Sequence, residues 1–206
     1  MSMIKLYGNT DSGHAYKVRN FLLLGGLPHD YCWIDLSLPR NQRPAEFIQA
    51  SQFGEVPVMV YQGQAYCQSN AILIYLSQKT RRFSGKTPQE SQQILEWLSW
   101  ESNRIGFSLP NLRSSLHFDK QPPIVLNYLS ERMGSDLMCL EKFLAGRDYL
   151  VGNQLTIADI SCSAYLFWLD HVGIHEHHYP HIQAWLDRMR AHPNWLHPDK
   201  VMVKAS

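Results

Sequence analysis

The chain is poor in cysteine: four in 206 residues, at Cys32, Cys67, Cys139 and Cys162, widely spaced and without a Cys-x-x-Cys pair. Without such a pair the four are expected to be buried thiols of a reducing compartment. Excess charge of one sign is also missing. The formal net charge is +1, and the basic stretches are no longer than Lys79-Thr80-Arg81-Arg82 and Arg188-Met189-Arg190. A nucleic-acid backbone is therefore a poor partner. No apolar run reaches the roughly 18 residues that a membrane span needs. The opening Met1-Ser2-Met3-Ile4-Lys5-Leu6-Tyr7 enters a strand-like segment without a signal-peptide core. Together these absences predict a cytoplasmic protein with no membrane and no nucleic-acid partner. There are no repeats and no low-complexity tract. What is present is 45% apolar and 18% charged residues, the composition of a globular chain long enough for one large domain or two small ones.

The most informative stretch runs from Gly54 to Leu76. Gly54-Glu55-Val56-Pro57-Val58-Met59-Val60 places a proline at the start of a short apolar strand. Pro57 has no N–H, so it opens a strand but does not sit within a ladder. The residue before it, Val56, is pushed to an extended conformation. Its backbone can then pair with an extended ligand as a strand edge does. A turn at Gln62-Gly63 leads to a second strand, and Gln68-Ser69 precedes a helix expected over Asn70–Ser77, with Ser69 as its N-cap. A free helix N-terminus attracts a carboxylate. The order suits a small peptide with two carboxylates.

This block resembles the glutathione S-transferase family. The resemblance implies a cis Val56-Pro57 bond, pairing of Val56 with the cysteinyl backbone of glutathione, and a Gln68-Ser69 grip on its γ-glutamyl end. It also implies the fold class: an α/β thioredoxin-like domain over residues 1–80, a linker at about 81–86, and an all-helical bundle over 87–206.

The rest of the chain reads in the same terms. Met3–Tyr7 is a first strand, Ala15–Leu24 a helix stopped by Gly25-Gly26, Asp30–Leu36 a second strand and Pro44–Ala50 a short helix. Thr87-Pro88-Gln89-Glu90 is a helix start with Thr as N-cap, Pro at the first position and Glu at the third. Pro110 should kink or end the helix that follows. A second long helix covers Ile124–Leu144. Leu155-Thr156-Ile157-Ala158-Asp159-Ile160 is a capping box with a staple from Leu155 to Ile160, opening a buried helix to about Trp168. His181–Ala191 is a last helix. The Thr-Ile-Ala-Asp box again resembles the family, so the resemblance covers nearly the whole chain.

The chemistry is expected on the first loop. A free thiol ionises near pH 8.5, so a hydroxyl donor and a helix N-terminus are needed to hold a thiolate at neutral pH. Tyr7, Asn9, Thr10, Asp11 and Ser12 are the candidates. Ser12 is the choice, because it leads directly into a helix; Tyr7 and Thr10 are the runners-up. Ser12-Gly13-His14-Ala15-Tyr16-Lys17-Val18-Arg19 resembles the serine-type classes, whose active serine lies seven residues before the Arg of such a run. The loop holds no cysteine, unlike a bacterial class that has one there. Thr10-Asp11-Ser12-Gly13 also resembles the Thr-Pro-Asn-Gly loop of glutathione-dependent disulfide reductases of the same fold, but lacks its Asn. Arg40, Arg43 or Gln52 would serve the glycyl carboxylate, and Asn103 and Phe107 the electrophile pocket. His171, His175, His177, His178 and His181 form a histidine-rich turn whose spacing Pro180 interrupts, so no metal site is expected. The resemblance thus implies a detoxifying glutathione S-transferase acting on small apolar electrophiles, with glutathione as co-substrate and a symmetric homodimer as its assembly. A glutathione-dependent disulfide reductase or peroxidase, and a non-catalytic binding protein on this fold, are the alternatives.

Overall fold

The computed structural model describes residues 3–204. Met1 and Ser2 of the strand-like opening, and Ala205 and Ser206 of the expected second domain, lie outside it. The chain divides into two compact units, Met1–Arg82 with His192–Ser206, and Phe83–Ala191.

The first unit contains β1 (Ile4–Gly8), α1 (Gly13–Leu24), β2 (His29–Trp33), α2 (Ala45–Ala50), β3 (Val58–Tyr61), β4 (Gln64–Cys67), α3 (Ser69–Thr80) and, from the far end of the chain, α9 (Pro198–Val201). The sheet order is β2-β1-β3-β4. β1 is parallel to β2 and antiparallel to β3, and β3 is antiparallel to β4. Local chemistry sets the ends of these elements. Gly26 takes φ +60° after α1, and the Gly26 and Leu27 N–H groups donate to Leu23 and Leu22 carbonyls, closing the helix in a left-handed cap. Gln62 and Gly63 both have positive φ, 52° and 77°, which is the two-residue turn whose twist matches a hairpin. β2 stops at Trp33, short of the expected Leu36, because Asp35 Oδ1 accepts from both the Ser37 N–H and its hydroxyl and turns the chain.

The second unit is helical: α4 (Pro88–Asn103), α5 (Ile105–His117), α6 (Pro123–Leu144), α7 (Ile157–Ser163) and α8 (Pro180–Arg190). The α4 start forms as its sequence implies, with Thr87 Oγ1 accepting from the Glu90 N–H and Glu90 accepting from the Lys86 N–H. Two expectations are corrected. Pro110 neither ends nor separates the first helices; it lies inside α5, and the break falls at Arg104, with φ −117° and ψ −106°. The cause is tertiary. Arg104 Nε and Ser108 Oγ donate to the two oxygens of the fully buried Asp136 carboxylate on α6, at 2.7 and 2.8 Å. A side chain at Gly106 would collide with the Glu101 carboxylate. The helix opened by Thr156 also ends at Ser163, not near Trp168; the chain continues as a 3-10 segment over Leu166–Val172, in which Trp168 leaves helical dihedrals. This tighter winding buries Leu166, Phe167, Trp168 and Leu169 together.

The span expected for the second domain, to residue 206, also differs from the structure, which groups residues from His192 onward with the first unit. Tyr16 and Tyr31 hydroxyls donate to the carbonyls of Leu196 and Met202, and Val201 and Met202 are buried.

Asp159 is the anchor of the second unit. Its buried carboxylate accepts from the Leu150 N–H, the Thr156 N–H and hydroxyl, and Trp185 Nε1, at 2.8 to 3.0 Å. Burial pushes its carboxyl above the ordinary range, and those hydrogen bonds act against the rise. The sequence alone implies the loss of about 1 kcal/mol for half a capping box. Four stranded donors make Asp159→Ala costlier, about 3 kcal/mol. Urea denaturation of the variant checks this; a loss of under about 1 kcal/mol contradicts the anchor role.

Candidate functional site

Sheet register gathers the candidate residues. Tyr7 pairs with Cys32 on one side and Val58 on the other, and Val58 pairs with Cys67. One row, Cys32–Tyr7–Val58–Cys67, therefore crosses all four strands. β1, β2 and β4 run in one direction and end at or just beyond this row; β3 runs the other way and begins on it. The loops after β1, β2 and β4 and the segment entering β3 consequently share one end of the sheet. Because α1 follows β1 and α3 follows β4, both helix N-termini start at that end, each with its unpaired N–H groups and partial positive charge.

The loop after β1 is held firmly. Asn9 Nδ2 donates to the Ile34 carbonyl at 2.8 Å, and Asn9 Oδ1 accepts from the Asp11 N–H at 3.0 Å. Ser12 is the N-cap of α1, its Oγ accepting from the Ala15 N–H at 3.1 Å. This cap starts the helix at Gly13, two residues before the expected Ala15. Accepting through a lone pair leaves the Ser12 proton available as a donor. Thr10 Oγ1 accepts from Trp33 Nε1 at 2.9 Å. Tyr7 is placed otherwise. It is 4% exposed, packs on Phe47 at 5.6 Å between ring centroids, and lies 3.3 Å from Glu46 Oε2, to which its hydroxyl donates. Burial pushes its pKa up, with Lys5 pulling it down and Glu46 raising it further. The Tyr7 hydroxyl is thus directed at a carboxylate.

The Val56-Pro57 bond is cis. Val56 packs against the buried cluster of Tyr7, Ile34, Phe47 and Val58. Two arginines hold the approach to it. Arg43 donates to three carbonyls, Leu38 through Nε, Gly54 through Nη1 and Leu36 through Nη2, at 3.0, 2.7 and 3.1 Å. Arg40 Nη2 donates to the Ser51 and Gln52 carbonyls. The Ser51 hydroxyl donates to the Glu55 carbonyl. Arg40 and Arg43, two of the three candidates for the glycyl carboxylate beside Gln52, brace this loop: Arg40 holds residues 51 and 52, and Arg43 ties Gly54 to Leu36 and Leu38. A guanidinium engaged with three carbonyls no longer presents its fork outward.

Gln68 and Ser69 exchange their expected places. Helix α3 begins at Ser69, and Gln68 occupies the N-cap position with φ 67° and no side-chain cap bond. Its carbonyl accepts the first helical bond, from the Ile72 N–H. The left-handed turn at Gln68 carries the chain from β4 directly into the helix, so Ser69 is the first helical residue and is buried. Gln68 Nε2 donates to Glu55 Oε2 at 3.1 Å, which ties this corner to the segment before Val56.

Asn103 and Phe107 belong to the second unit, at the end of α4 and the first turn of α5. Arg132 joins them: it donates to the Asn103 carbonyl, and its guanidinium lies 5.4 Å from the Phe107 ring centroid. The His175 and His177 rings stack, and His178 meets both edge-on, while His171 Nδ1 accepts from Arg113 Nε. Among the described residues no three His, Cys, Asp or Glu side chains converge as metal ligands. Trp33, Glu46 and the bracing role of Arg43 were not read from sequence. Trp33 and Glu46 act through partners remote in the chain, and Arg43 through carbonyls 5 to 11 positions away that the loop folds around it; the sole local signal is the aromatic end of β2.

A four-stranded mixed sheet flanked by helices, followed by a helical unit, is the architecture of glutathione S-transferases, and the comparisons agree. Residues 11–79 match the model of the glutathione S-transferase N-terminal domain, and residues 116–193 that of the C-terminal domain. Disulfide-bond oxidoreductase YfcG of Escherichia coli (strain K12) is 30% identical over 203 residues, covering 93% of this chain and 92% of that protein. A glutathione S-transferase domain-containing protein of Dictyostelium discoideum is 32% identical over 200 residues, covering 88% and 75%. Among solved structures, a glutathione S-transferase from Pseudomonas fluorescens superposes with a TM-score of 0.85 at 31% identity, covering 95% of this chain and 98% of that one. The chain belongs to the glutathione S-transferase family.

The brace is open to test. Arg43→Ala should lower stability by about 2 kcal/mol, because three carbonyls lose a charged donor. Arg43→Lys should not restore it, since a single ammonium does not span the three. Full recovery in the lysine variant, measured by chemical denaturation, would show that charge alone is what matters.

Proposed function

We propose that the chain is a glutathione-dependent enzyme in which Ser12 donates to the glutathione thiolate. The observation that carries this is the single sheet row that gathers Ser12, Val56-Pro57 and Gln68-Ser69 at one end of the sheet. In this reading the Val56 backbone pairs with the cysteinyl unit. Ser69, at the start of α3, and Gln68 receive the γ-glutamyl carboxylate. The Ser12 hydroxyl, with its acceptor side already occupied by the Ala15 N–H, turns its proton to the sulfur. The α1 N-terminus adds a favourable field. The thiolate then attacks a small apolar electrophile: the sulfur forms a bond to carbon, and the leaving group departs with the electron pair. No metal is assigned, and no helix among the described residues is long and apolar enough to cross a membrane. A cytoplasmic, homodimeric transferase acting in detoxification completes the reading.

A second reaction class is favoured by one observation, the relative named a disulfide-bond oxidoreductase. Such chemistry here would run between glutathione molecules and not through enzyme cysteines. Cys32 and Cys67 lie on the same row three strand spacings apart, about 14 Å, beyond the roughly 7 Å limit of a disulfide. Burial also pushes the Cys32 thiol up. One glutathione thiolate would cleave the substrate disulfide, releasing a thiolate and leaving a mixed disulfide. A second would attack the glutathione sulfur of that mixed disulfide, giving oxidised glutathione and the second thiol.

Ultraviolet titration of the bound thiol separates the candidates. Ser12→Ala should raise its midpoint by about one pH unit while leaving glutathione affinity nearly intact. Turnover should fall most at neutral pH and recover in part in alkali. A midpoint unmoved by Ser12→Ala but raised by Tyr7→Phe would sink the assignment. A parallel panel of electrophiles and disulfides decides the class: faster turnover of disulfides selects the second reading, and no turnover of either selects a binding protein.

A further inference from the structure

Trp33 stands at the end of β2, and the β1–β2 register pairs it with Gly8, immediately before the Asn9–Ser12 loop. Its indole has one donor and no acceptor, and that N–H is directed at Thr10 Oγ1, 2.9 Å away. A hydroxyl carries one proton and two lone pairs. With one lone pair facing the indole N–H, the Thr10 proton must point away from Trp33. The backbone around Thr10 is held as well: Asn9 bonds to Ile34 and Asp11, the Ser12 N–H donates to the Asn9 carbonyl, and the Ile34 N–H donates to the Gly8 carbonyl. The other side of the indole is covered from the end of the chain. Lys204 Nζ lies 5.3 Å from the ring centroid, and its segment is held by the bonds from Tyr16 and Tyr31 to Leu196 and Met202. A cation over an indole face polarises the ring and strengthens its N–H as a donor.

We propose that Trp33 is a positioning residue of the thiolate site: its N–H fixes the Thr10 oxygen so that the Thr10 proton joins that of Ser12 on the bound sulfur. This inference rests on the reading of Ser12 given above. Trp33 acts through Thr10 and touches no reacting atom. Lys204 lies over its ring, Asp35 follows it by two residues, and Asp11 is the titratable group of the Thr10–Ser12 loop itself, with His14 just beyond it in α1. Hydrogen bonds from Ser37 hold Asp35 below the ordinary carboxylate range, and Lys204 and Arg43 lower it further. Asp35 therefore stays ionised across the neutral and alkaline range in which a thiol titrates, and does not confuse the readout.

The test is the thiolate titration of the glutathione complex in Trp33→Phe, Thr10→Val and the double variant, with melting temperature followed in parallel. Thr10→Val should raise the midpoint by about one pH unit, the size of one lost hydrogen bond to an anion, and Trp33→Phe by about half a unit or more. The double variant should rise no further than the larger single, because the two act in series. Additive shifts, or an unmoved midpoint in Trp33→Phe, overturn the proposal even if the melting temperature falls. If Ser12→Ala shifts the midpoint and these variants do not, the positioning role fails while the thiolate site stands; if Ser12→Ala is also silent, the thiolate site itself fails. Should Trp33→Phe not fold, Thr10→Val and Lys204→Met carry the test: a rise in both supports it, and an unchanged midpoint in either overturns it.

Discussion

The pairing of Tyr7 with Val58, and of Val58 with Cys67, is the constraint on which the candidate site depends. Side chains alternate across a strand, so a slip of one residue would turn each strand over and separate the segments that meet at this end of the sheet. The register is protected from both directions. The Gln62-Gly63 turn sets the offset of β3 against β4, and the buried cluster of Tyr7, Ile34, Phe47 and Val58 fixes β1, β3 and the exit of β2 against α2. Burial of that cluster excludes an alternative register because any slip would place apolar groups in water. The candidate residues Ser12, Val56 and Gln68 lie in the connections that this sheet edge holds in place, and Ser69 opens α3.

Much of this was legible in the sequence, for reasons that can be named. Val56-Pro57, the Gln62-Gly63 turn, the Thr87 start of α4 and the Thr156–Asp159 box all depend on neighbours within a few positions, and short-range chemistry leaves a short-range pattern. What escaped depends on how the folded chain wraps around a residue, over a short loop for Arg43 and over long separations elsewhere. Arg43 reads as a solvated loop cation until the carbonyls of Leu36, Leu38 and Gly54 are seen around it. The break at Arg104 has no local signal, because its cause is a buried carboxylate 32 positions away on α6. Pro110, which does carry a local signal, is accommodated inside α5. The return of residues 192–204 to the first unit leaves no pattern in the sequence because its contacts are made by single side chains with no period. The left-handed Gln68 was missed because glutamine does not favour that conformation, so nothing in its identity announces it. A non-glycine residue held at positive φ is costly, and the chain accepts that cost at Gln68 where β4 passes directly into α3.

The second unit shows the same economy with a different device. A single carboxylate, Asp159, gathers donors from the segment before α7, from the start of α7 and from α8. Asp136 does the same for α5. Buried acids with several donors fix geometry more than they add net stability. The second unit therefore owes its internal geometry to a few fully engaged polar groups set in apolar surroundings.

The central claim is that one end of one sheet forms a single glutathione site. Backbone amide NMR during titration with reduced glutathione tests it most directly. The account expects the largest shifts at Ser12, Gly13, Val56, Gln68 and Ser69, all titrating with one dissociation constant, while the Gln62-Gly63 turn at the opposite end of the hairpin stays still. Shifts concentrated at that turn, or two separate constants for the Ser12 and Ser69 groups, would contradict it.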